Sequence, residues 1–260
     1  MEIRGSRGLA IGGLVMVGAG AGGMLLLHAY AGLDPVHSVI SEYAYAPGGW
    51  LLPASLTLFA VGAALLSAAL ARVGEDRRIV MLVALWGACI LLVGAFPTDR
   101  PGVPLSMSGG IHRYAAFVAF LVVPPAGLLL ARRLGRCGRA TLLKVLSVVA
   151  GVALIAVVVP YVLRMGGIPV ADEDVPAGVT QRIVVAAELG VLTLLGLIVA
   201  RPSGARAEAE TSGAAAARVS GAGSAPLRAW ATTAHPVARS AVTRREFERD
   251  SGFTGASAGL

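Results

Sequence analysis

A polar and aromatic stretch, LDPVHSVISEYAYAPGGW at residues 33–50, separates two long apolar runs. It holds His37, Ser41 and Glu42, which are an imidazole, a hydroxyl and a carboxylate, the side-chain types used in acid–base and nucleophilic chemistry. The Asp-Pro dipeptide near its start is a favourable helix beginning, as N-cap and first helical residue. Read as a helix, the stretch places these three residues on a polar face opposite an apolar one. We therefore expect a short amphipathic helix here.

Further polar residues stand at the ends of later apolar runs. Asp99 follows the third run, His112 precedes the fourth, and Gln181 and Arg182 precede the sixth. Carboxylates and imidazoles near apolar surroundings can be tuned for acid–base work near neutral pH. If these run ends meet at one membrane surface, the residues form a polar pocket together with the first stretch.

Glu188 is the only carboxylate well inside an apolar run. Ionisable side chains at membrane depth are costly, and they face the interior of a helix bundle or water. Residues 181 and 188 are seven apart, so they share one helix face. Two interpretations stay open. Glu188 belongs to a polar pocket, or it is neutral or paired with His28 or Arg182 and ties two helices together.

The elements that must position these residues are membrane helices. The chain has 260 residues, of which 56% are hydrophobic and 14% charged, whereas soluble domains carry about 25% charged residues. The mean hydropathy is +0.75. Six apolar runs are long enough to cross about 30 Å of hydrocarbon. They cover roughly 8–30, 51–70, 79–96, 114–131, 145–163 and 183–200. We expect an all-α integral membrane bundle of six transmembrane helices over residues 1–200.

The first run contains Gly18-x-Gly20-x-x-Gly23, a string that matches the dinucleotide-binding fingerprint. That fingerprint requires a preceding strand and a βαβ unit, whereas here the string lies within a membrane helix. We interpret the glycines as sites of close helix approach, with the pairs Gly8/Gly12 and Gly18/Gly22 at the appropriate spacing.

Basic residues predict the orientation, because cytoplasmic loops carry the excess of Lys and Arg. One side holds ten: Arg4, Arg7, Arg72, Arg77, Arg78, Arg132, Arg133, Arg136, Arg139 and Lys144. The other side holds four: Arg100, Arg113, Arg164 and Arg182. Both termini are therefore expected in the cytoplasm, with residues 31–50 outside, in a multi-pass protein of the plasma membrane.

Residues 201–260 change abruptly to Arg, Ala, Gly, Ser and Thr without sustained periodicity. We expect a disordered cytoplasmic tail.

The net charge of +7 does not indicate nucleic-acid binding, because the basic residues fall in short loops and in the tail without interleaved stacking aromatics. His37, Glu42, Asp99 and His112 lack HxxxH or HExxH spacing, so we predict no metal site. The sequence assigns no cofactor.

Four motifs at run ends, HSVISEY, GAFPTDRPG, GGIHRYAAF and GVTQRIVVAAEL, occur in this order. Together they resemble the membrane family called domain of unknown function 998, over about residues 8–200. The resemblance implies the six-span architecture but no general activity. It marks as site residues Ser41, Glu42, Asp99, His112, Gln181 and Arg182.

We therefore predict an uncharacterised membrane protein with a polar pocket near the extracytoplasmic face, which binds or acts on a lipid-like or small hydrophobic molecule. Its candidate catalytic residues are Glu42, Asp99 and His112, and its candidate binding residues are His37, Ser41, Gln181, Arg182 and Glu188. Two alternatives stay open: a non-catalytic accessory protein, and a small proton-coupled transporter in which Glu188 carries the proton. Its partners are the lipid bilayer and that hydrophobic molecule. Whether the protein is an enzyme, and its oligomeric state, are left open.

Overall fold

The computed structural model describes residues 2–100, 102–171 and 175–201. They form six α-helices and one 3-10 helix, Ile40–Tyr45. The α-helices are α1 (Glu2–Tyr30), α2 (Leu51–Arg72), α3 (Arg77–Ala95), α4 (Met107–Arg133), α5 (Gly138–Met165) and α6 (Ala177–Ala200). Each is long and apolar enough to cross a membrane, and no strand occurs in the described ranges. The predicted six-span all-α architecture is confirmed. Apart from Arg201, the predicted disordered tail lies outside the described residues.

Every α-helix except α2 begins before its predicted apolar run, because polar residues form part of its first turns. The fourth helix begins at Met107 instead of Tyr114, since the Ser106 side chain accepts a hydrogen bond from the Gly109 amide at 3.1 Å and caps it. The sixth begins at Ala177 instead of Ile183. His112, Gln181 and Arg182 consequently lie within helices, which fixes the direction of their side chains.

Residues 31–50, here named the first connection, contain a helix that is shorter than predicted. The Asp34 carboxylate accepts hydrogen bonds from the Val36 amide at 2.8 Å and from His37 Nδ1 at 2.5 Å, and residues 35–37 form a turn. The 3-10 helix starts only at Ile40, and it buries Ile40 and Tyr43. Asp34, which was expected to cap the helix, instead closes a turn. The 3-10 helix that follows is a separate element.

The helices pack with their neighbours in the chain, and α6 closes the bundle because it contacts α1, α2, α4 and α5. Both α2 and α6 also contact the 3-10 helix. We call the end of the bundle that carries the first connection the upper end. Because α6 packs among the other helices, side chains on it reach the middle of the bundle.

Glycines permit a close approach of α1 and α2. A Cβ atom added at Gly13 would lie 2.8 Å from Leu66, one at Gly20 would lie 2.8 Å from the Phe59 ring, and one at Gly23 would lie 2.5 Å from Ser55 Oγ. Helix packing is therefore the role of these glycines, as expected for membrane helices. Of the predicted pairs, an added Cβ meets nothing within 4 Å at Gly8, Gly18 or Gly22, and one at Gly12 would lie 3.5 Å from Leu65, which is ordinary contact, so these pairs do not mark the closest approach. Spacing alone does not show which side of a helix faces its neighbour.

Candidate functional site

A cavity of about 50 Å³ lies within the bundle, lined by residues of α1, α2, α3, α4, α6 and the 3-10 helix. Most of its wall is apolar, formed by Met24, Ile40, Leu52, Leu56, Phe59, Ile90, Val93, Ala116, Phe120, Val185 and Leu189. The side chains that add polar atoms are Ser41, Trp86, His112, Gln181 and Glu188. An apolar wall with a few polar groups is typical of small-molecule sites. One water needs roughly 10–15 Å³, so the cavity has room for a small chemical group.

Glu188 lies in the cavity wall and is only 1% exposed. Its Oε2 accepts a hydrogen bond from Trp86 Nε1 at 3.0 Å, which joins α6 to α3. Its Oε1 is buried and has no hydrogen-bond partner among the described residues. The alternative pairing of Glu188 with His28 or Arg182 was wrong, because those two residues bind each other. A buried polar atom without a partner costs about 1–3 kcal/mol, so Oε1 is an energetic defect unless a water or a ligand in the cavity contacts it.

His112, from α4, also lines the cavity and is 7% exposed. Its Nδ1 lies 2.8 Å from the Phe96 carbonyl and 3.1 Å from that of Val93, at the end of α3. Because carbonyl oxygens only accept, Nδ1 carries the hydrogen. Nε2 is then the free polar atom of the ring and acts as an acceptor. The carbonyls that α3 leaves unpaired at its end therefore orient this imidazole.

Arg182 attaches the first connection to the bundle. Its Nε donates to His28 Nε2 at 2.9 Å, and its Nη1 donates to the carbonyls of Pro35 at 2.9 Å and Ser38 at 2.8 Å. Its Nη2 donates to the Tyr43 hydroxyl at 2.8 Å, and the guanidinium carbon lies 5.6 Å from the centre of the Tyr43 ring. The planar guanidinium thus uses its several donors at once. Its role is to hold α1, α6 and the first connection together.

Gln181, the neighbour of Arg182, belongs both to this attachment and to the cavity. Its Oε1 accepts the Ile40 amide at 2.6 Å, and Ile40, Ser41 and Gln181 all line the cavity. A Cβ added at Gly178 would lie 2.5 Å from the Ser38 carbonyl, so α6 and the first connection are in backbone contact. The first connection therefore forms one wall of the cavity.

Asp99 lies in the connection between α3 and α4, next to the start of α4 and outside the cavity lining. Its Oδ2 accepts the Ser106 amide at 2.9 Å. Hydrogen bonding from Ser106 is the main cause that lowers the pKa of Asp99, and the charge of Arg113 adds to it. Next to it, the Thr98 carbonyl accepts from the Tyr45 hydroxyl of the 3-10 helix. Asp99 thus anchors the connection between α3 and α4.

Two other predicted site residues also lie outside the lining. Glu42 is half-buried, and its carboxyl group makes no hydrogen bond or ion pair among the described residues, whereas its backbone amide donates to the Val39 carbonyl at 3.1 Å. His37 is exposed and pairs with Asp34, and this hydrogen bond is the main cause that lowers the pKa of Asp34. Of the eight predicted site residues, those that the structure brings into the cavity wall are Ser41, His112, Gln181 and Glu188. Within the described ranges, no group of three or more His, Cys, Asp or Glu side chains is placed to hold a metal ion.

Trp86 and Tyr43 were missed as site residues by the sequence analysis, and His28 was considered only as a partner of Glu188. Trp86 had a usable signal, because a tryptophan in mid-span needs an acceptor for its N–H, and Glu188 is the one carboxylate at comparable depth. The sequence marked His28 and Tyr43 less clearly as site residues. Histidines and aromatic residues are expected near a membrane surface in any case.

Comparisons of this chain with curated proteins and with solved structures gave no match. The family model described as "Protein of unknown function (DUF998)" matches residues 9–198. That range contains most of every α-helix and all the polar residues of the upper end. Since the match covers residues 9–198 of 260, the resemblance of the four motifs is confirmed, and this chain belongs to the DUF998 family.

Proposed function

We propose that this multi-pass protein binds a lipid-like or small hydrophobic molecule, whose polar group enters the cavity beside Glu188. The observation that carries this proposal is Glu188, which lines the cavity and whose buried Oε1 has no partner among the described residues. A ligand that supplies the missing hydrogen bond recovers the desolvation cost of that oxygen. A volume of about 50 Å³ suits a polar head group, and the apolar remainder extends beyond the cavity.

We further propose that the protein lies in the plasma membrane with both termini in the cytoplasm and the upper end outside. The support is the count of ten basic residues on one side of the spans against four on the other. Cys137 and position 37 provide the test, because both are exposed and belong to opposite ends of the bundle. In a His37→Cys variant, a membrane-impermeant maleimide added to intact cells should label position 37 and leave Cys137 unlabelled. Labelling of Cys137 from outside would reverse the orientation.

Binding is favoured over catalysis by the placement of the candidate catalytic residues. Only His112 lines the cavity, whereas Glu42 and Asp99 are outside its lining. General acid–base catalysis requires each group within hydrogen-bond reach of the reacting atoms, directly or through one water. We therefore assign His112 to ligand contact and Asp99 to positioning of α4.

The test is whether the molecule co-purifies with the protein. Native mass spectrometry of the full chain, gently extracted from membranes, should show a bound small molecule. An Ala116→Leu variant fills the cavity, because Ala116 lines it, and should lose the bound molecule. Ala88→Leu makes the same change at an exposed position of α3 and should retain it.

A protein that carries no molecule in any preparation, or equal occupancy in both alanine variants, would contradict ligand binding in this cavity. The accessory role would then be the better interpretation, with the polar residues of the upper end serving only to hold the connections in place.

A further inference from the structure

The cavity offers two polar side-chain atoms that nothing in the described chain uses. Glu188 Oε1 has no partner, and His112 Nε2 is an acceptor because Nδ1 donates to two carbonyls. Both side chains line the same cavity of about 50 Å³. When Glu188 is ionised and the His112 ring is neutral, one small group that fills this space and satisfies both residues must carry at least two N–H or O–H donors.

Aromatic rings form another part of the wall. Phe59, Trp86 and Phe120 line the cavity, and the Phe59 and Trp86 rings lie 6.4 Å apart between centroids. Ring faces attract cations, most strongly when the cation has lost its water shell. No Lys or Arg is among the described lining residues. Glu188, the one carboxyl group among those lining residues, therefore has no cation there to pair with.

We propose that the ligand group bound at Glu188 is an organic ammonium ion with an apolar substituent, a deepening that rests on the proposed ligand binding. A primary ammonium has three N–H donors, so it can serve Glu188 and His112 together while an aromatic face covers its remaining side. It also supplies the positive charge that a buried carboxylate requires. An alcohol has a single donor and no charge, and an anion would be repelled by Glu188.

The indole N–H of Trp86 is a reporter placed at the site, because it is hydrogen-bonded to Glu188. The experiment uses the full chain, labelled with ¹⁵N-tryptophan, in nanodiscs of phosphatidylglycerol alone. Titration with n-butylammonium should shift the Trp86 indole resonance to saturation. Butan-1-ol, which has the same chain and a neutral head, should bind about tenfold more weakly or worse. Trp50, exposed at the start of α2, should not respond.

Glu188→Gln is the matched variant, since its amide oxygen can still accept from Trp86 while the charge is gone. It should weaken butylammonium binding about tenfold or more and leave the response to butan-1-ol unchanged. A second sample, in nanodiscs that contain phosphatidylethanolamine and no added amine, shows whether the ammonium group comes from a lipid or from a free amine. A shifted Trp86 resonance there would indicate an aminolipid head group, and a response only to butylammonium would indicate a free amine.

The outcomes separate the two proposals. If butan-1-ol shifts Trp86 as strongly as butylammonium does, or if Glu188→Gln binds the ammonium as well as the wild type, the cavity binds ligands but the ammonium assignment is overturned. If neither probe shifts Trp86, both the assignment and the ligand-binding function fail.

Discussion

Arg182 in α6 donates its Nε–H to Nε2 of His28 in α1 across 2.9 Å. Because Nε2 accepts this bond, it carries no hydrogen, and His28 Nδ1 donates instead to the Met24 carbonyl at 2.7 Å. The contact therefore joins two helices through a neutral imidazole. It also orients the guanidinium, whose other nitrogens hold the first connection.

Arg182→Lys should destabilise the upper end, because an ammonium cannot reproduce the planar fork of donors. We expect the free energy of unfolding to fall by about 2 kcal/mol, since acceptors that bind a charged donor lose it. Thermal unfolding in detergent measures this loss, and limited proteolysis should show faster cleavage within residues 31–50. Arg132→Lys, at an exposed position of α4, is the matched control. Equal effects of the two substitutions would contradict the anchoring role of Arg182.

Gly109 and Gly110 should differ sharply in their tolerance of alanine. A Cβ at Gly109 would lie 1.8 Å from Asp99 Oδ2, whereas one at Gly110 meets nothing within 4 Å. Gly109→Ala should displace Asp99 from the Ser106 amide and lower the unfolding midpoint. Gly110→Ala should be neutral or stabilise α4 by up to about 1 kcal/mol, as alanine does in a helix. Thermal unfolding of the two variants side by side is the measurement, and similar midpoints would contradict this packing.

Protonation of Asp99 at low pH should weaken its hydrogen bond with the Ser106 amide. Hydrogen bonds from Ser106 lower the pKa of Asp99 below its ordinary value of 3.8. A carboxyl whose pKa is lowered by folding stabilises the fold fully above the unfolded value, and that contribution is lost as the pH falls through the folded pKa. Hydrogen exchange at the start of α4 should therefore accelerate as the pH falls below 3.8, after correction for the intrinsic rate. Asp99→Asn should remove this dependence, and an unchanged profile in that variant would assign it to another group.

Trp86 and Glu188 should behave as a coupled pair. Trp86→Phe leaves both carboxyl oxygens without a donor, and Glu188→Met leaves the indole N–H without an acceptor, so each should cost about 1–3 kcal/mol. The double variant replaces both polar groups by apolar ones of similar size and should recover most of the loss. A double-mutant cycle of unfolding free energies measures the coupling. Additive effects would indicate that the 3.0 Å hydrogen bond contributes nothing.

The helices could be predicted from the sequence because membrane spans have a plain signal. Six apolar runs long enough to cross hydrocarbon gave six helices. The errors lay at polar starts such as Met107 and Ala177, where hydropathy is low although the residues are already helical. The first connection was harder to predict, because a good N-cap such as Asp34 can close a turn as readily as it begins a helix.

The partners within the site could not be predicted in the same way. Glu188 and Trp86 are 102 residues apart in the chain, and Arg182 and His28 are 154 apart. Such contacts depend on the rotation of each helix about its axis. In a soluble helix the apolar stripe reveals that rotation, but a membrane helix is apolar on all sides. The sequence therefore identified four cavity residues without showing which of them touch.

The glycines of α1 consequently report how that helix is rotated about its axis relative to α2. A saturation scan of single substitutions should find Gly13, Gly20 and Gly23 intolerant of any side chain, because each faces α2 at contact distance. Gly8, Gly18 and Gly22 lie on the same helix with open space around them, and they should accept ordinary apolar residues. The string that looks like a nucleotide motif thus divides by helix side into forbidden and permissive positions, so survival data alone would orient α1 without coordinates.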